Sequence, residues 1–258
     1  MKKVTMAVLA AACVLGFASC SKASEGKFIL GLDASFPPMG YTEADGTIAG
    51  YDIDLAKEVC NRLNLKFEAK PIDWDAKEMD LSTGSIDCIW NGFTITDERI
   101  AAMSFTKAYL NNDQVLVVRK DSGIASLKDA AGKVIGIQSG SSAEEAVNDN
   151  VDFAASVKEI RTYADNLVAL TDLEVGGIDA VVMDSVVANY AIKTGNKPLT
   201  VCSESLAKEG YGIGFRKDEK GAALRDSVWN TLEEMAKDGT AAKISEKWFG
   251  SDISVIGK

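Results

Sequence analysis

Apolar and polar positions change period along this chain, from short solid apolar runs to the three-and-four spacing of a helix face. One phrase occurs twice. Gly84-Ser85-Ile86-Asp87 leads into Cys88-Ile89-Trp90 and closes on Asn91-Gly92. About 90 residues later, Gly176-Gly177-Ile178-Asp179 leads into Ala180-Val181-Val182-Met183 and closes on Asp184. Each phrase follows a helix-like stretch, 76–83 and 165–175. Each therefore predicts a helix stopped by glycine, a short buried strand, and a polar residue at the strand's carboxyl end. In open α/β sheets, ligands gather at that end. The repeat predicts two similar lobes, each giving a polar rim to one cleft.

The remaining pattern fills in around these units. Residues 27–32 predict a strand stopping at Asp33, followed by the turn-rich 34–38 and a hairpin signal at Asp45-Gly46. A helix opens at Gly50-Tyr51-Asp52, with Ile53, Leu55, Ala56, Val59, Cys60 and Leu63 on its apolar face. A strand over 66–72 ends near Trp74. Thr96-Asp97-Glu98 starts another helix. Residues 114–119 predict a buried strand crossing into the second lobe. A strand over 134–137 runs through Gln138-Ser139-Gly140-Ser141-Ser142 into a helix, where Ser142 with Glu145 fits a capping box. A strand over 157–162 and a helix over 165–175 capped by Asp165 follow, then a helix over 185–194. Residues 211–215 predict the strand that returns to the first lobe, before helices at 219–237 and 240–248. The two short crossings, near 110–113 and 210–213, predict a hinge.

Composition narrows the function. The 258 residues are 47% hydrophobic and 26% charged, enough for one large domain or two lobes of about 100 residues. A net charge of −10 without a basic stripe argues against nucleic acid. The chain has no histidine, which removes Ser-His-Asp and Cys-His catalysis and histidine metal sites. No cysteine spacing suggests a metal, and no cofactor is expected. Lys2-Lys3 and the apolar stretch 4–17 predict an export signal. Phe17-Ala18-Ser19-Cys20 then resembles a lipobox, with Phe17 where leucine is usual. This predicts a signal over 1–19, a lipid on Cys20 and a tether over 20–26; the alternative is an ordinary signal peptide cut nearby. No other apolar run approaches the ~18 residues of a membrane span. An extracytoplasmic body held to the cell membrane only by lipid is expected. Cys60, Cys88 and Cys202 sit among apolar neighbours and read as buried free thiols, with a Cys60–Cys88 bridge as the alternative.

Several polar residues have both a structural and a functional reading. Arg99 falls in the first turn of a helix, where the macrodipole disfavours a cation. It either pairs with Asp97 or a neighbouring acid at the surface or holds an anion in its planar fork. Asp184 either caps the following helix or accepts from an ammonium. Ser142 is a cap, or a cap whose N–H also faces an anion. Asp33 is a turn residue or a ligand, and Phe36 and Trp74 are core aromatics or stacking platforms. Jointly, a cation and an anion on opposite lobes match a zwitterion.

Four ordered motifs carry a family resemblance. Gly50-Tyr51-Asp52-Ile53-Asp54-Leu55-Ala56-Lys57-Glu58-Val59 resembles the signature of the family 3 solute-binding proteins of bacterial polar amino-acid ABC transporters. Asn91-Gly92-Phe93-Thr94-Ile95-Thr96-Asp97-Glu98-Arg99 is similar to that family's first ligand loop. Gly136 to Ser142 and Asp179 to Asp184 resemble its second-lobe elements. The resemblance spans roughly residues 27–250 and implies an α/β, two-lobed periplasmic-binding-protein-like (type II) fold, each lobe a mixed sheet flanked by helices, with a two-strand hinge. Lobe 1 would be 27–110 and 213–258, and lobe 2 111–212. By motif position, Arg99 would clamp the ligand's α-carboxylate with backbone help from Thr94 and Ser142. Asp184 would hold the α-ammonium with the Gly92 carbonyl and the Thr94 hydroxyl. Asp33, Phe36, Trp74, Asn91 and Gln138 would line the side-chain pocket, Asn91 standing where relatives often have a small residue. The implied protein is a monomer that closes on its ligand and delivers it to an ABC permease and its ATPase. An acid at Asp33 implies a donor-bearing side chain: glutamine, lysine, arginine, histidine or the far end of cystine, with cation–π contact at Trp74 favouring the cations. Two other readings are a dehydratase on the same scaffold, with Asp33 as its acid, and a ligand sensor without transport.

Overall fold

The computed structural model describes residues 26–258. The strands are β1 (Lys27–Leu32), β2 (Ser35–Phe36), β3 (Gly40–Thr42), β4 (Ile48–Ala49), β5 (Lys66–Pro71), β6 (Cys88–Thr94), β7 (Ser104–Phe105), β8 (Leu110–Arg119), β9 (Val134–Gln138), β10 (Glu159–Tyr163), β11 (Ala180–Asp184) and β12 (Leu199–Phe215). The helices are α1 (Tyr51–Leu63), α2 (Lys77–Ser82), α3 (Asp97–Ala102), α4 (Ser142–Asp149), α5 (Val151–Ser156), α6 (Asn166–Glu174), α7 (Ser185–Thr194), α8 (Glu219–Lys237) and α9 (Thr240–Phe249).

The main sheet runs β10-β9-β11-β8-β12-β6-β1-β5, with β7 beside β12. Its two ends repeat one design. In the first, β1 pairs in parallel with β5 and β6, and β12 closes the set antiparallel to β6. In the second, β9 pairs in parallel with β10 and β11, and β8 closes the set antiparallel to β11. The closing strands β8 and β12 pair with each other from Leu199↔Arg119 to Tyr211↔Leu110, so both run from one half into the other. Parallel strands buried on both faces need solid apolar runs. Cys88-Ile89-Trp90 and Ala180-Val181-Val182-Met183 supply them, all buried.

Most expected elements appear within a residue or two; β8 begins at Leu110, four residues ahead of the expected 114, and four further differences follow. Strand β10 starts at Glu159 rather than at Val157, which caps the unforeseen helix α5. Strand β12 begins at Leu199, far ahead of the expected 211, because its N-terminal stretch is polar and bulged after Val201 and Ser205 and so loses the period-two signal. Ser142 is the first residue inside α4; Ser141 takes the N-cap position, neither side chain caps, and Glu144 rather than Glu145 reaches back, to Gly140 N at 3.1 Å. Asp184 occupies the N-cap position of α7 without a capping bond from its side chain. Asp165 does cap α6, accepting from Val168 N at 2.9 Å. Cys60, Cys88 and Cys202 are buried and free, so the Cys60–Cys88 bridge is absent. Cys20 and the export signal lie outside the described residues.

Candidate ligand cleft

The carboxyl ends of β1, β6, β9 and β11 converge on one cavity. Asp33, Phe36, Trp74, Asn91, Gly92, Arg99, Gln138, Ser141, Ser142 and Asp184 surround about 280 Å3 of unfilled space, near the lower end for small-ligand sites. Hydrogen bonds from Gln138 to Asp33 and from Lys77 to Gly140 cross it, so an amino acid enters only if the rims part. Of the expected residues, only Thr94 lies outside this ring. It is buried immediately behind it, with its hydroxyl 3.0 Å from Ser142 Oγ.

Arg99 is 7% exposed, and Thr96 rather than Arg99's own neighbours caps its helix, accepting from Arg99 N at 3.3 Å. Its guanidinium does not pair with Asp97. It donates to the carbonyls of Thr94 at 2.9 Å and Gly140 at 3.3 Å and lies 4.3 Å from the centre of the Phe93 ring. Burial pulls its pKa below the ordinary value, partly offset by Glu145, Glu209 and Asp184. Among the described residues no carboxylate forms an ion pair with it.

Asp184 is 4% exposed at the end of β11. Its Oδ1 accepts from Asn112 Nδ2 at 2.7 Å, Tyr211 OH at 2.8 Å and Gln114 Nε2 at 3.0 Å. Burial, then the charge of Glu209, pushes its carboxyl up to about 7. It too has no Lys or Arg partner in an ion pair among the described residues. A buried guanidinium and a buried carboxylate therefore border the same cavity from opposite halves, each unneutralised.

At the other polar group, Asp33 Oδ1 accepts from Ser35 N at 2.8 Å, and Oδ2 from Gln138 Nε2 at 2.8 Å across the cleft. Burial raises its pKa despite these bonds. Asp33 makes the turn and also lines the cavity. Asn91 Oδ1 accepts from Asp33 N at 3.0 Å, tying β6 to the end of β1. Gly92 needs its glycine: φ is +57°, and an added Cβ would lie 2.9 Å from Phe36.

The sequence reading missed several contributors. Asp52, fully buried, accepts from Gly92 N at 2.7 Å and Tyr109 OH at 2.9 Å, fixing the Gly92 peptide; burial raises its pKa to about 7. A carboxylate in the apolar opening of α1 was a usable signal. Lys77 donates to Trp74 O and, across the cleft, to Gly140 O, with Nζ 5.2 Å from the Trp74 ring. That ring therefore already has one cation beside it. Ser141, Asn112, Gln114 and Glu209 had no local signal.

Among the described residues, no group of three or more potential metal ligands clusters, and no helix is long and apolar enough to cross a membrane. The chain is 32% identical over 98% of its length to the L-cystine-binding protein TcyJ of Escherichia coli, 97% of which is covered. It is 31% identical over 96% of its length to the arginine-binding extracellular protein ArtP of Bacillus subtilis, 98% of which is covered. An ABC uptake transporter substrate-binding protein from Streptococcus pneumoniae, solved with bound histidine, superposes with a TM-score of 0.86 at 38% identity, covering 89% of this chain and 94% of that one. Bacterial extracellular solute-binding proteins, family 3, match residues 28–251, and the chain belongs to that family.

Proposed function

We propose that this protein is the substrate-binding component of an ABC importer, binding a polar amino acid between its two lobes and handing it to a membrane permease. The observation that supports this most is the pair of buried, unpaired charges, Arg99 and Asp184, on opposite sides of one cavity. An isolated buried charge costs several kcal/mol, and a zwitterion relieves both costs at once. The α-carboxylate would take the guanidinium fork of Arg99 with the N–H groups of Thr94 and Ser142. The α-ammonium would take Asp184, the Gly92 carbonyl and Thr94 Oγ1. Micromolar affinity needs about 8 kcal/mol, within reach of three or four charged hydrogen bonds of about 1.5–3 kcal/mol each, less the entropy of ordering.

Asp33 and Gln138 stand at the side-chain end. Asp33 is an acceptor, so the amino acid carries donors there: glutamine, lysine, arginine, histidine or cystine. The relatives named above, for cystine, arginine and histidine, fall within that class. Binding rather than catalysis is the reading. The relatives named above are binding proteins. Lobe 1 would comprise 27–110 and 213–258 and lobe 2 111–212, and a monomer tethered by lipid on Cys20 would work at the outer face of the cell membrane.

A thermal-shift screen across the twenty amino acids and cystine tests this reading, with calorimetric titration of the strongest binder. Stabilisation should come from the donor-bearing set, and Arg99→Ala should weaken binding at least about 100-fold with its circular dichroism unchanged. Stabilisation only by acidic or apolar amino acids overturns the substrate class. Undiminished binding by Arg99→Ala overturns the site.

A further inference from the structure

Strand β12 brings Glu209 to the base of the cleft, in register with Asn112 of β8 where the two strands pass between the halves. Its Oε2 accepts from Thr94 Oγ1 at 2.9 Å, Asn112 Nδ2 at 3.0 Å, Gln114 Nε2 at 3.0 Å and Ser142 Oγ at 3.4 Å. These donors come from β6 of the first half, α4 of the second, and β8 between them. Two of them, Asn112 and Gln114, also donate to Asp184 Oδ1. One carboxylate oxygen therefore gathers both rims and the crossing strand, and shares its donors with the proposed ammonium anchor.

Proton direction follows from this geometry. A carboxylate oxygen accepts, so the single hydroxyl proton of Thr94 points at Glu209. Thr94 Oγ1 is left with lone pairs, one of which faces Ser142 Oγ at 3.0 Å, whose single proton is shared between Thr94 and Glu209. Asp184 Oδ1 is filled by three donors, which leaves Oδ2 as the acceptor Asp184 presents to the cavity.

We propose that Glu209 is a positioning residue for the ligand's ammonium end. By taking the Thr94 proton and holding Asn112 and Gln114, it leaves Thr94 Oγ1 and Asp184 Oδ2 as acceptors with no proton of their own in the way. The inference rests on the amino-acid reading above. A glutamine at position 209 would turn its carbonyl oxygen to the same donors but, being neutral, would accept more weakly than a carboxylate, so the threonine proton is freer to turn toward the ammonium and donor meets donor.

The test is a double-mutant cycle read by calorimetry on the full chain. The probe is whichever of L-glutamine, L-lysine, L-arginine, L-histidine and L-cystine stabilises the wild type most. Glu209→Gln should weaken binding about tenfold. Thr94→Val should weaken it at least as much, and the double variant should be no weaker than Thr94→Val alone. In a Thr94→Ser background, which keeps the hydroxyl, the tenfold loss from Glu209→Gln should return. Losses that multiply in the double variant, or wild-type affinity in Glu209→Gln, overturn the proposal, because a merely structural glutamate acts independently of that hydroxyl. If Glu209→Gln does not fold, Glu209→Asp takes its place in the same cycle. It should show a smaller loss that vanishes in the Thr94→Val background, and a loss persisting there overturns the proposal. A wild type that binds none of the five overturns the functional reading itself, a result distinct from binding with multiplying losses.

Discussion

Arg99 and Asp184 are each held by hydrogen bonds that orient them and by nothing that neutralises them. Carbonyl oxygens face the guanidinium, while two amides and a phenol face one oxygen of the carboxylate. Around Asp184 the charged or titratable neighbours are Glu209, Arg99 and Tyr211, and burial outweighs them in raising its carboxyl to about 7. A ligand ammonium favours the ionised form, so below about pH 7 the free protein must release a proton to bind. Affinity should therefore be steady above about pH 8 and fall toward tenfold per pH unit below 7. Folding shows the opposite sign. The folded chain keeps on Asp184, and on the similarly raised Asp52, protons that the unfolded chain releases, so the unliganded protein should gain stability as pH falls from about 7 toward 4. Calorimetry from pH 5 to 8 checks this, and affinity independent of pH would contradict the role given to Asp184. Arg99 was legible because a cation in a helix's first turn opposes the dipole, and Asp184 because it closes a repeated phrase. Glu209 and Lys77 were not, since their partners come from segments far away in the chain.

At the level of elements, each rim of the cleft is built from the carboxyl ends of parallel strands, and the two sets repeat. That much was written in the apolar runs and their glycine stops, because strands buried on both faces tolerate few polar residues. The first half of β12 escaped notice for the opposite reason, being polar and bulged and held by pairing to β8 rather than by burial. The capping box at Ser142 failed because Gly140, at φ +63°, turns the chain early and hands the N-cap position to Ser141. Within β6, Gly92 is sensitive to a single added atom. Gly92→Ala places a side chain at positive φ against Phe36 and Tyr211, and should destabilise the fold by about 1–2 kcal/mol in urea denaturation while weakening amino-acid binding. Unchanged stability would mean that this backbone conformation is not the one adopted in solution.

For the whole molecule, the two halves meet along β8 and β12 and touch across the cleft through Gln138 and Asp33, Lys77 and Gly140, and Thr94 and Ser142. Entry of an amino acid requires these contacts to part, and its own bonds to both halves then favour their return, as expected for a ligand that shifts an open–closed equilibrium. The family match and the two-lobed neighbours fit this view. The most direct test is a crystal structure of the protein with the amino acid that the screen selects. The account predicts the α-carboxylate within hydrogen-bond distance of the Arg99 guanidinium and the ammonium within the same reach of Asp184 Oδ2, both halves closed on one molecule. An amino acid bound outside this cavity, or within it in contact with only one of the two charges, would contradict it.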